Sequence, residues 1–99
     1  MYVLSWEGWV NLNHRGLSGS IPNLGHFHHL HLLDLSYNAL SGTIPDNVTM
    51  WTTVGHSLTN FNLNGNRLTG SLPASLGSLS QLTQIDVSNN FLSGHLAPA

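Results

Sequence analysis

Four times along the chain two apolar residues enclose a single polar one: Val10-Asn11-Leu12, Leu33-Asp34-Leu35, Phe61-Asn62-Leu63 and Ile85-Asp86-Val87. Alternation with a period of two predicts a short strand that turns its apolar pair inward and its polar residue outward. Each triplet is followed by Asn, Ser and Gly, and three of the four by Pro as well, as in "LDLSYNALSGTIPDN" from Leu33 to Asn47. The second apolar positions fall at Leu12, Leu35, Leu63 and Val87, at spacings of 23, 28 and 24 residues. Self-similarity at such a period predicts a solenoid, in which no coil buries its apolar face without a neighbour.

The turn residues fit one coil of such a solenoid. Asn38, Asn66 and Asn90 each stand three residues after the second apolar position. An amide there can turn inward and bond the backbone of the neighbouring coil, so the three are expected to form a structural ladder. Gly19, Gly42, Gly70 and Gly94 suit a bend at positive φ, and Pro22, Pro45 and Pro73 end pairing on an extended return segment. The predicted core is Leu12, Leu17, Ile21, Phe27, Leu30, Leu33, Leu35, Leu40, Ile44, Leu58, Phe61, Leu63, Leu68, Leu72, Leu76, Leu79, Leu82, Ile85, Val87 and Leu92.

The fullest copy reads Leu76-Gly77-x-Leu79-x-x-Leu82-x-x-Ile85-x-Val87-Ser88-x-Asn90-x-Leu92-Ser93-Gly94-x-Leu96, and the copy from Leu24 to Pro45 follows it in register. This pattern resembles the plant-type leucine-rich repeat, "LxxLxLSxNxLSGxIPxxLGxL", over roughly residues 10–96. The resemblance implies an α/β-type repeat solenoid: a short right-handed arc of about four coils, with parallel strands on the concave side and irregular or 3₁₀ segments on the convex side. It also implies kinship with the ectodomains of plant receptor-like kinases and receptor-like proteins, which recognise peptides or co-receptors. The expected division is a cap-like segment at residues 1–9, repeats at 10–96 and a short tail at 97–99.

Departures from the pattern carry information. Arg15 replaces the Asn of the first copy, as expected for a coil without an upstream partner. "WEGWVNL", Trp6 to Leu12, resembles the end of the N-terminal cap of plant receptor ectodomains, without its cysteines. Pro22-Asn23-Leu24 is one residue short, and four extra residues within 46–57 are expected to swell the convex side and to carry Trp51 outward or under the coil. No C-terminal cap is recognisable after Leu96, and Met1 to Val10 lacks the basic and apolar regions of a secretory leader.

Composition narrows the function. Six residues are charged and none is Lys, so phosphate backbones find few contacts and nucleic acid is not an expected partner. Without Cys there is neither a disulfide framework nor a thiolate metal site, and no apolar run approaches the ~20 residues of a membrane span. No nucleophile elbow, phosphate loop or HExxH motif is present. Asp34 and Asp86, two strand steps or roughly 10 Å apart, reach the separation of inverting glycosidase carboxylates, but no supporting cleft is legible. Neither catalysis nor a cofactor is expected.

Recognition is therefore expected on the concave face, where outward strand positions form columns. The first column is Trp9, Leu32, Asn60 and Gln84, the second Asn11, Asp34, Asn62 and Asp86, and the third Asn13, Ser36, Asn64 and Ser88, with Tyr37 and Asn89 at the edge. The solenoid ends, with Tyr2, Trp6 and Trp9 at one and Phe91 and Leu96 at the other, are expected to contact other chains or further repeats. "HFHHLH", His26 to His31, places His26, His28, His29 and His31 toward solvent on the convex return; it reads as a polar surface, with no metal site assigned. Asn47-Val48-Thr49 is the one N-x-S/T sequon and makes Asn47 a glycosylation candidate.

The sequence thus points to a non-catalytic module that binds a protein or peptide, extracellular or at the cell surface if it belongs to a receptor. A second reading is a small structural subunit wedged into a large multi-protein complex, such as one of an organellar membrane; few coils and little charge motivate it.

Overall fold

A computed structural model describes residues 8–25, 27 and 29–93. Two parallel sheets run the length of the solenoid. The first contains β1 (Trp9–Asn11), β3 (Leu32–Asp34), β5 (Asn60–Asn62) and β7 (Gln84–Asp86), in that order. The second contains β2 (Ser18–Gly19), β4 (Ala39–Thr43), β6 (Arg67–Gly70) and β8 (Phe91–Leu92). Each coil supplies one strand to each sheet, so the order in space follows the order in sequence.

The concave register pairs Val10 with Leu33, Leu33 with Phe61 and Phe61 with Ile85, which stacks the inward residues in one row. The core holds Val10, Ile21, Leu24, Leu30, Leu33, Leu35, Leu40, Ile44, Met50, Trp51, Val54, Leu58, Phe61, Leu63, Leu68 and Leu79. Leu12, Leu17, Phe27, Leu72, Leu76, Leu82, Val87 and Leu92 pack against it half-buried. Ile85, expected in the core, is 40% exposed. Its strand pairs with β5 on one flank, and no described coil covers the other. Gly8 explains how closely β1 approaches the second coil: a Cβ there would lie 2.4 Å from the His29 carbonyl oxygen. Its own carbonyl accepts the amides of His31 and Leu32 at 2.7 and 2.9 Å.

The asparagine side chains bridge coils. Asn66 is buried; its Nδ2 donates to the carbonyls of Leu63 in its own coil and Leu35 in the preceding one, both at 3.0 Å. Its Oδ1 accepts from the Leu40 amide at 3.0 Å. Asn38 does the same toward Leu12 and Leu17, and Asn90 toward Leu63 and Leu68. Every bridge points to the coil before it. Arg15 occupies the equivalent place in the first coil, where it is exposed and no described coil precedes it. The residue before each of these positions takes the left-handed conformation: His14, Tyr37, Gly65 and Asn89 have φ of 53°, 55°, 76° and 55°. Three of the four are not glycine, and each such residue costs on the order of 1–2 kcal/mol. The same left-handed bend recurs coil after coil, and in three of the four coils it precedes the inward Asn amide.

The convex side departs from the expected irregular or 3₁₀ character in one coil. Ala74–Ser78 is a 3₁₀ turn, but the longer segment forms an α-helix, α1 (Val48–Gly55). Asn47 caps α1, its Oδ1 accepting the Met50 amide at 3.1 Å. Trp51 lies under the coil, fully buried, its ring 5.6 Å from that of Phe61 and its Nε1 donating to the Pro45 carbonyl at 2.7 Å. The extra residues therefore enlarge the core as well as the surface. Gly55 completes the packing: a Cβ there would meet the Ser78 carbonyl oxygen at 2.4 Å, so the helix end lies directly against the next coil.

Burial of the whole indole makes Trp51 the side chain whose loss opens the largest hole. Trp51→Ala is expected to lower unfolding free energy by about 3–5 kcal/mol in urea denaturation. A loss below about 1 kcal/mol would mean that α1 is an appendage to a core that stands without it.

Candidate functional site

The concave sheet aligns the first two predicted columns across its four strands. Trp9, Leu32, Asn60 and Gln84 are register partners across the four strands, as are Asn11, Asp34, Asn62 and Asp86. In the first column Trp9 is 62% exposed and lies beside the ring of His31, with centroids 5.6 Å apart. His31 Nδ1 lies 3.2 Å from the Ser57 carbonyl oxygen, so this imidazole sits at the strand start as a support for Trp9. At the polar end, Asn60 Nδ2 donates to Gln84 Oε1 at 3.3 Å.

The second column has a structural duty as well. Each member ends its strand by accepting the amide two residues on: Asn11 from Asn13, Asp34 from Ser36, Asn62 from Asn64 and Asp86 from Ser88, at 2.9–3.1 Å. This is an Asx turn, in which a short side-chain oxygen replaces a backbone acceptor. Asp34 and Asp86 also accept the hydroxyls of Ser36 and Ser88 through the same Oδ1 atoms. Their Oδ2 atoms accept from the amides of Asn13 and Asn64, at 3.2 and 3.3 Å.

The third column differs from the expected solvent-facing row. Ser36 is buried, its amide and hydroxyl both given to Asp34, so only Asn13, Asn64 and Ser88 of that column remain on the surface. Beside it, His14 stacks on Tyr37 with centroids 4.8 Å apart, and the Tyr37 ring lies over Gly65. Asn64 Nδ2 reaches the Tyr37 hydroxyl at 3.5 Å, and Asn89 Nδ2 donates to Asn64 Oδ1 at 2.9 Å. His14 was not among the predicted contact residues. Its place two residues after Leu12, the counterpart of Tyr37 after Leu35, was the available signal.

A shallow depression of about 130 Å³ is lined by Leu32, Asp34, Asn60, Asn62, Gln84 and Asp86 of the first two columns, together with the inward Leu33 and Phe61. A larger concavity of about 380 Å³ lies between the first two coils, lined by Val10, Leu12, Leu17, Leu24, Phe27 and Leu30. Its walls are the inward residues of the repeat, so it is an incompletely covered core rather than a recognition surface. The depression among the outward columns is the better candidate. Of the end residues, Phe91 is 69% exposed, whereas Tyr2, Trp6 and Leu96 lie outside the described residues. His29 is exposed; His26 and His28 also lie outside the described residues. Among the described residues no three His, Asp or Glu side chains converge on a metal position, and no helix is long and apolar enough to cross a membrane.

Known proteins carry the same repeat. A sequence profile of the Leucine Rich Repeat family matches residues 29–51 and 57–79. Receptor-like protein 39 of Arabidopsis thaliana is 35% identical over 96% of this chain, which spans 11% of that protein. The Arabidopsis LRR receptor-like serine/threonine-protein kinase GSO2 is 43% identical over 74% of the chain, which spans 6% of it. Among solved structures, the Arabidopsis BIR3–SERK2 complex contains a chain with TM-score 0.68 and 35% identity over 80% of this chain and 41% of that one. The Arabidopsis BIR2 ectodomain aligns with TM-score 0.52 and 31% identity over 87% of this chain and 56% of that one. The chain thus corresponds to a small part of the receptors and about half the length of the solved ectodomains.

The Asx turns predict an acid response. The Ser88 hydroxyl, and then its backbone amide, hold the Asp86 carboxyl below its ordinary value; desolvation opposes them, and the Asn64 side chain adds a smaller lowering. A depressed carboxyl contributes stability that is present above its unfolded value, about 3.9, and is lost as pH falls through the lower folded value. The native chain is therefore expected to lose more thermal stability than Asp86→Asn between about pH 5 and pH 2. Parallel pH profiles would contradict the Asx-turn assignment.

Proposed function

This chain is a plant-type leucine-rich-repeat protein similar to receptor ectodomains, and we propose that it is a non-catalytic recognition module that binds a peptide or protein partner on its concave face, outside the cell or at its surface. The observation that carries this reading is the continuity of the columns. Four parallel strands set Trp9 and Leu32 beside Asn60, Asn62, Gln84 and Asp86 on one surface, with the strand backbones paired and the side chains outward. An extended peptide laid across such strands meets an apolar corner at one side and a field of amides and carboxylates at the other. The aromatic corner supplies buried area, and the amides supply directional bonds that fix register.

The charge pattern refines the partner. Both carboxylates of the second column face this surface, while Arg15 and Arg67 lie outside the columns, so a partner segment with a cationic or donor-rich side chain between Asp34 and Asp86 is favoured over an acidic one. The exposed Phe91 on the last described coil is a second contact point for a neighbouring chain or further repeats. Neither role calls on a reactive group.

A random peptide library panned on the folded chain tests the face directly. Enriched peptides are expected to lose at least tenfold in affinity, or about 1.4 kcal/mol, on Asn62→Arg and on Asp86→Arg. Thr52→Arg, on the exposed side of α1, should leave them unchanged. Binding that survives both concave substitutions, or that is abolished by Thr52→Arg, would move the recognition surface away from the columns.

A further inference from the structure

We propose that Asn47 is an N-glycosylation acceptor and that its glycan stands on the convex side, leaving the concave columns open. Asn47-Val48-Thr49 is the one sequon in the sequence, and all three residues are exposed. They begin α1, in the coil whose concave strand, β5, follows five residues after the helix ends. The chain between helix and strand crosses from one side of the solenoid to the other, so a sugar rooted at Asn47 grows away from Asn60 and Asn62.

The chemistry of the cap allows both duties at once. Helix capping uses Oδ1, which accepts the Met50 amide at 3.1 Å. Glycan transfer uses the other atom: Nδ2 forms a bond to the anomeric carbon of a polyprenyl-pyrophosphate-linked oligosaccharide. The bond from that carbon to the pyrophosphate oxygen breaks, the lipid pyrophosphate leaves with the electron pair, and Nδ2 gives up one proton. The product is a secondary amide whose Oδ1 keeps its lone pairs, so the cap survives modification. Val48, 59% exposed beside the attachment point, is an apolar surface that the first sugars would cover. Asn47 lies on an extended backbone, φ −112° and ψ 95°, immediately after Pro45-Asp46, which keeps the acceptor outside the helix.

The proposal rests on the extracellular reading only for the native compartment, and the experiment separates the two. The full chain is expressed in plant cells behind a secretory leader, and its intact mass is read before and after peptide-N-glycosidase treatment. Wild type and Thr49→Ser are expected to carry one removable glycan, and Thr49→Val and Asn47→Gln none. Thr49→Val is the decisive variant, because it deletes the sequon while leaving the Asn47 cap. A secreted, folded wild type without glycan, or a glycan that persists on Thr49→Val, overturns the assignment. If the secreted chain is glycosylated but the protein from its native source is not, the acceptor stands and the extracellular reading falls.

Discussion

The amide of Asn66 carries the constraint on which the solenoid depends. A coil of about two dozen residues cannot bury its own leucines, and its tight turn leaves carbonyl and amide groups that no strand partner reaches. Asn66 fills that gap with two donors and one acceptor, tying Leu63 to Leu35 and Leu40 of the coil before. A hydrogen bond contributes about 1 kcal/mol net, but a buried group left unpaired costs more. The bridges are therefore less a bonus than a condition for having a buried turn at all. The left-handed residues before Asn38 and Asn90, Tyr37 and Asn89, are not glycine, and they show that the fold accepts local cost at these turns.

From that constraint the geometry of the proposed recognition surface follows. Once successive turns are locked together, the strands cannot slip by a residue, and a one-residue slip would exchange inward and outward faces. Trp9, Leu32, Asn60 and Gln84 thus share one row, and Asn11, Asp34, Asn62 and Asp86 the next. The second row also closes the strand ends as Asx turns. One oxygen of each carboxylate is occupied with Ser36 or Ser88, while the other meets only a neighbouring Asn. A partner group can displace that weaker contact without undoing the turn. The turn and the proposed contact thus share residues but divide their atoms.

Much of this was legible in the sequence because the repeat gives each coil as a template for the others. The alternation Leu33-Asp34-Leu35 decided which residues face in, and its recurrence decided which ones stack. The local exceptions were harder to read. Ser36 follows the outward parity of its strand, yet Asp34 folds it under through a bond to its own amide, a competition that alternation does not express. Ile85 follows the inward parity, but it lies on the last described strand of the sheet and stays 40% exposed. The segment around Trp51 lies outside the template, and its eight helical residues are too short for a helical period to stand out. Met50, Trp51, Val54 and Leu58 do recur at helical spacing and all are buried. The solenoid returns for a distance with helix where a shorter coil would use an extended segment.

The most direct measurement of this account is amide hydrogen exchange on Asn66→Asp. The aspartate keeps an oxygen for the Leu40 amide and removes both donors to Leu35 and Leu63, with almost no change in volume. If the bridges hold coils in register, protection should fall across the paired amides of β3 and β5 together, at least tenfold, although neither strand contains the substitution. Loss of protection confined to the Asn66 turn, with β3 and β5 exchanging as in the native chain, would show that leucine packing alone sets the register and would contradict the account.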